Sequence, residues 1–274
     1  MRIRTLYIVF LLLNVNSSFA QDSLRYTWHE KISYPLDSTE VWAVDVLDNF
    51  YFSDKGTIIK YDSAGVFKFS QSIKSLGRMT QMVPINTMKL VHFSEEQQRP
   101  CYFDNTLTRI GDCLELIDSD IVDASMISTS NRPDKVWVVD NVNSKLVLLS
   151  LEGQSQGQEI DNLKGILSIG SISQIIERNN RLYLLDSEKG IYVFDLYGSL
   201  IEFRPVEGVK HIDAYDNSMF LLTGTELKII FLDINDELSI ALPKENIEEF
   251  TFSNQMFFFR TSTYVHKFAL KFDK

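Results

Sequence analysis

Asp54, Glu95, Asp140 and Asp186 each stand at the end of a short run rich in β-branched and aromatic residues, and Thr223 and Arg260 hold the matching place in two later runs. Carboxylates gathered at one point could hold a hard cation such as calcium, which takes about six to eight oxygen ligands. The plainer reading is that each side chain caps its own turn, because Asp readily bonds to backbone N–H groups two residues on. No contiguous calcium loop of the EF-hand type is present.

Other chemistry-bearing residues are sparse. The four histidines are His29, His92, His211 and His266, and none belongs to an HExxH or other metal-spaced pair. His211 and Asp213, with Gln81 and Gln174, open further apolar runs and are candidates for a ligand site. No P-loop and no GxGxxG is present to bind a nucleotide. Trp42, Trp137, Phe194, Phe220 and Phe257–Phe259 are a conceivable carbohydrate platform, but they fall inside the apolar runs, where packing explains them better.

The elements that carry these residues repeat. "LYLLDS" at 182 has counterparts in "YFSD" at 51, "LVHFSE" at 90, "VWVVDN" at 136, "MFLLTG" at 219 and "MFFFRT" at 256, with starts 37 to 46 residues apart. A period near 40 signals a repeat architecture. Before four of these runs comes a polar pair, Asp48-Asn49, Asn179-Asn180, Asp216-Asn217 or Ser253-Asn254. Such residues tolerate the left-handed backbone of a tight hairpin. A third run follows each, as in "TIIKYD" (57–62), "IYVFD" (191–195) and "YVHKFAL" (264–270). A turn ending in Gly65, Gly153 or Gly198 then opens a fourth.

Four strands repeated six times, without helical periodicity between them, predict an all-β six-bladed β-propeller of four-stranded antiparallel blades. The sixth unit ends after its third strand, and "LRYTWHEKISYP" (24–35) precedes the first unit as a strand with no partner. Placing it in the last blade closes the ring and covers an otherwise open edge. Cys101 and Cys113 then flank the hairpin of the third and fourth strands of the second blade, and in an oxidising compartment they are expected to form a disulfide.

Residues 1–20 read as a signal peptide: two arginines, an apolar run from Leu6 to about Val15, then small residues before a cut after Ala20. That run is shorter than the roughly 20 residues of a membrane span, and no other stretch is apolar enough to serve as one. Residues 21–274 are expected to form one exported propeller domain, periplasmic or secreted. Loss of Arg2 and Arg4 would take the formal charge from −10 to −12, an acidic balance that argues against nucleic acid as a partner.

The unit "RLYLLDSEKGIYVFDLYGSLIE" (181–202) resembles blades of six-bladed NHL and TolB-like propellers, with its nearest likeness to uncharacterised exported propellers of Gram-negative bacteria. In such propellers the turn between second and third strands lies on the ligand-bearing face. The resemblance thus implies that Asp54, Glu95, Asp140 and Asp186 ring one mouth of the channel. With a complete fold and no catalytic signature, the expected function is a monomeric, non-enzymatic binding or scaffold propeller without a cofactor. It would engage a protein or envelope component through rim loops such as "SEEQQRP" (94–100) and the link at 153–170. The alternative implied by the resemblance is an axial enzyme site, as in calcium-dependent lactonases or quinone-dependent sugar dehydrogenases. A small-molecule sensor is a third possibility, stabilised by its ligand without turnover.

Overall fold

Along the strand Lys135–Asp140, Val136 and Val138 pack toward the preceding blade, while Trp137 and Val139 pack toward the following one. The pleat sends successive side chains to opposite faces, so a strand that is apolar at every position must be covered on both sides. Radially stacked blades supply that cover. The computed structural model describes residues 25–37, 41–150, 155–165, 167–234 and 236–272. The signal peptide expected at 1–20 lies outside these.

The N-terminal strand is β1 (Tyr26–Pro35). Blade one follows as β2 (Trp42–Val44), β3 (Phe50–Asp54), β4 (Thr57–Tyr61) and β5 (Phe67–Ser72). Blade two is β6 (Gln81–Pro84), β7 (Lys89–Ser94), β8 (Arg99–Asp104) and β9 (Arg109–Ile110). Blade three is β10 (Ala124–Thr129), β11 (Lys135–Asp140), β12 (Lys145–Ser150) and β13 (Ser155–Ile160). Blade four is β14 (Ile172–Arg178), β15 (Arg181–Asp186), β16 (Gly190–Asp195) and β17 (Leu200–Pro205). Blade five is β18 (His211–Tyr215), β19 (Ser218–Leu222), β20 (Glu226–Phe231) and β21 (Asp236–Ala241). Blade six is β22 (Glu249–Ser253), β23 (Met256–Arg260) and β24 (Tyr264–Phe272), completed by β1 on its outer edge.

Every pairing within a blade is antiparallel, and each junction between neighbouring blades holds its own apolar cluster. At the closing junction Tyr34, Phe258 and Val265 of blade six meet Trp42, Phe50 and Phe52 of blade one. The partners Tyr26↔Phe272 through Pro35↔Tyr264 zip β1 onto β24. Across that seam Lys267 Nζ reaches Asp48 at 2.9 Å, a pair that is largely buried. The propeller expected from the repeat, including its closure by an N-terminal strand, is the fold observed.

The turns follow their residue chemistry. Asp48, Asn179, Asn180, Asp216 and Asn254 have positive φ at the hairpins between first and second strands. At the third-to-fourth turns Asp62, Asp104 and Asp195 each accept backbone N–H groups two and four residues on. Gly65 and Gly198, at φ 81 and 91, complete two of these turns. A turn ending in Gly153 lies outside the described residues.

Two expected rim loops are smaller than anticipated. Of residues 94–100, Ser94 closes β7, Arg99 and Pro100 begin β8, and only a tight turn lies between. Of 153–170, residues 155–160 form the fourth strand of blade three. Among the described residues no helix is long and apolar enough to cross a membrane.

Candidate binding site at the channel mouth

The second-to-third turns and the links between blades share one end of the ring. There Asp140, fully buried, accepts N–H groups from Val122 at 3.0 Å and Asn143 at 3.2 Å, and the Asn143 side-chain amide at 2.8 Å. Burial alone would raise its pKa, but these donors hold it below the usual carboxylate value. Asp186 is used in the same way, accepting N–H groups from Gly170 at 2.7 Å and Glu188 at 3.0 Å. Each caps its own turn and pins the incoming link. Glu95 is exposed and Asp54 half-buried. Among the described residues no three His, Cys, Asp or Glu side chains converge as a metal would require. The structure therefore does not gather the four carboxylates into one set.

The candidates on the inner strands have a different task. Gln81 Oε1 accepts Ile127 N–H at 2.7 Å. Gln174 accepts Ile212 N–H at 2.7 Å and donates to Ile212 C=O at 2.8 Å. Asp213 Oδ2 accepts Phe252 N–H at 2.9 Å. In each case a side chain from one inner strand satisfies the channel-side edge of the next, where no further strand can pair. Gln98 clasps Ala124 similarly, taking its N–H at 2.7 Å and giving to its C=O at 2.9 Å. His211 packs on Phe250 and lies 3.4 Å from Gln174; burial lowers its pKa, with Glu249 and Asp213 pushing the other way.

Cys101 and Cys113 form a disulfide, with Cα atoms 4.3 Å apart. Cys113 lies just beyond β9, where Leu114 N–H bonds Pro100 C=O at 2.9 Å. The pattern GQSQG at 153–157 has the spacing of a GxSxG nucleophile elbow. Ser155 heads β13, and no helix follows to make the strand-to-helix turn that an elbow needs.

At the opposite end the first-to-second turns of all six blades surround one cavity of about 450 Å³. Its wall includes Asp45, Asn86, Asn131, Arg178, Tyr215 and Ser253, one from each blade. Around it Val46, Leu47, Met88 and Tyr215 are exposed by roughly half or more. Asp45 is buried and saturated, accepting Leu47 N–H, Asn49 N–H, the Asn49 amide and the Tyr51 hydroxyl. Arg178 is the one cationic side chain among the described residues lining the cavity. Sequence reasoning missed this end because its residues look like hairpin formers; the only signal was an arginine set beside Asn179-Asn180. A cavity of about 430 Å³ beside Asp140 and Lys164 is walled by blades three and four alone and lies off the axis.

No protein-family model matches the chain, and no curated protein matches it in sequence. Solved structures match its fold. Virginiamycin B lyase from Staphylococcus aureus aligns with a TM-score of 0.61 at 11% identity, over 89% of this chain and 99% of that one. The Pan2 WD40 domain from Neurospora crassa gives 0.59 at 13%, over 82% and 74%. BamB from Moraxella catarrhalis gives 0.52 at 11%, over 85% and 69%. Such identities show a shared propeller fold and nothing of activity, since one of these neighbours is a lyase and another a WD40 domain.

Proposed function

We propose that this chain is an exported NHL- or TolB-like propeller of the periplasm or cell exterior that binds a protein or envelope component and performs no catalysis. The observation that carries this reading is the mouth formed by the first-to-second turns. It joins exposed apolar side chains, Val46, Leu47, Met88 and Tyr215, to a floor of polar and charged side chains drawn from all six blades. Exposed apolar side chains clustered beside a concave pocket that carries polar groups are features of interaction sites. The lactonase-like and dehydrogenase-like alternatives lack a comparable convergence, since Asp140, Asp186 and Asp213 are each held by backbone donors.

The test is to place an acid in the apolar rim. Met88→Asp should abolish the complex recovered from native envelopes by gentle solubilisation, while Val142→Asp on the opposite rim should leave it intact. Retention of the complex by the Met88 variant, or its loss in both, would overturn the assignment.

A further inference from the structure

We infer that the group taken into this mouth is a carboxylate, held by the Arg178 guanidinium. The inference rests on the reading that this end of the ring binds a ligand, and it specifies that ligand's chemistry. Arg178 is the last residue of β14, fixed by the left-handed pair Asn179-Asn180 that follows it. Its side chain is 37% exposed, so part of the guanidinium faces the cavity.

The protein groups nearest Arg178 leave its donors largely available. Its Nε forms an ion pair with Asp213 Oδ1 at 3.6 Å, longer than a hydrogen bond, so the contact adds charge neutralisation without taking up an N–H. That oxygen already accepts Ala214 N–H at 2.8 Å, and Oδ2 accepts Phe252 N–H at 2.9 Å. Nη1 donates to Glu177 C=O at 3.0 Å, and Nη2 has no partner among the described residues. A guanidinium stays charged at any physiological pH, and its planar fork matches the two oxygens of a carboxylate.

The surroundings fit the same group. The hydroxyls of Thr129 and Thr251 and the amide of Asn131 line the cavity and have no hydrogen-bond partner among the described residues. They are further donors for an anion. Asp45, the acid in the wall, is occupied by its four donors and does not compete for Arg178. A space of about 450 Å³ admits one amino-acid residue or one sugar ring. Two sources carry the required group: the C-terminus of a peptide and a sugar acid.

The Arg178 Nε–H resonance of the protein labelled with 15N-arginine reads the site directly. The probes are N-acetyl-leucine and glucuronate, each against its uncharged counterpart, N-acetyl-leucinamide and glucose. The expected result is a saturable shift with at least one acid and none with the neutral forms; which acid acts names the source. Arg178→Gln should weaken binding of that acid on the order of tenfold or more, read by titration calorimetry, and Arg178→Lys should fall between. Equal shifts with the neutral probes, no shift with either acid, or undiminished binding by the Gln variant would overturn the inference. An acid that binds while Met88→Asp leaves the envelope complex unchanged would sink the protein-docking reading and keep the carboxylate site. The reverse pattern would keep docking and sink the site.

Discussion

Gln174 shows how a single side chain closes a ring. Its amide bonds both the N–H and the C=O of Ile212 across the blade junction. Gln174→Ala would orphan two backbone groups on the inner edge of β18, and a loss of about 2 kcal/mol is expected from urea unfolding midpoints. His92 acts in the opposite sense. It is fully buried and neither ring nitrogen finds a partner. Burial pushes its pKa down from 6.5 to about 4. The unfolded chain therefore takes up the proton first. The stability due to the neutral ring is complete above pH 6.5 and is lost as pH falls toward 4. The pH dependence from His92 amounts to roughly 3 kcal/mol over that window. His92→Phe should flatten the stability profile there; an unchanged profile would mean that His92 does not govern it.

At the scale of elements, the strands were legible because each second and third strand is apolar at consecutive positions and recurs at a nearly fixed spacing. A run such as Lys145–Ser150 permits few other structures, since both of its faces need cover. Outer strands were harder to read. β5 is exposed at every position and β9 is only two residues long, so neither carries a burial pattern. The disulfide compensates in blade two, where so short an outer strand gives few ladder bonds. Cys101 and Cys113 close a loop of 12 residues, and replacing both with serine should cost about 3 kcal/mol. Thermal unfolding with and without reductant measures it, with the larger drop expected in the intact protein and none in the double variant. β1 is anchored beyond its pairing with β24: Trp28 donates to Ala241 C=O of blade five at 2.8 Å and packs edge-on against Phe257 and Phe259 of β23.

For the whole molecule, the closed ring decides where function can reside, and this the sequence did not disclose. Asp140 reads alike whether it caps a turn or ligates an ion; the donors that Val122 and Asn143 bring to it, with no other ligating groups converging among the described residues, distinguish the two. Asn86, Asn131, Arg178 and Tyr215 are scattered through four blades, and only closure brings them to one cavity. Each alone looks like a residue chosen for a hairpin. The full chain has a formal charge of −10, and within the cavity Arg178 is the one cationic side chain among the described lining residues. The most direct test of the central claim is photo-crosslinking in the native envelope, with one reactive side chain placed at Met88 and another at Val142. Adducts from Met88 alone are predicted, whereas adducts from Val142 alone, or from both alike, would contradict the assignment of the binding end.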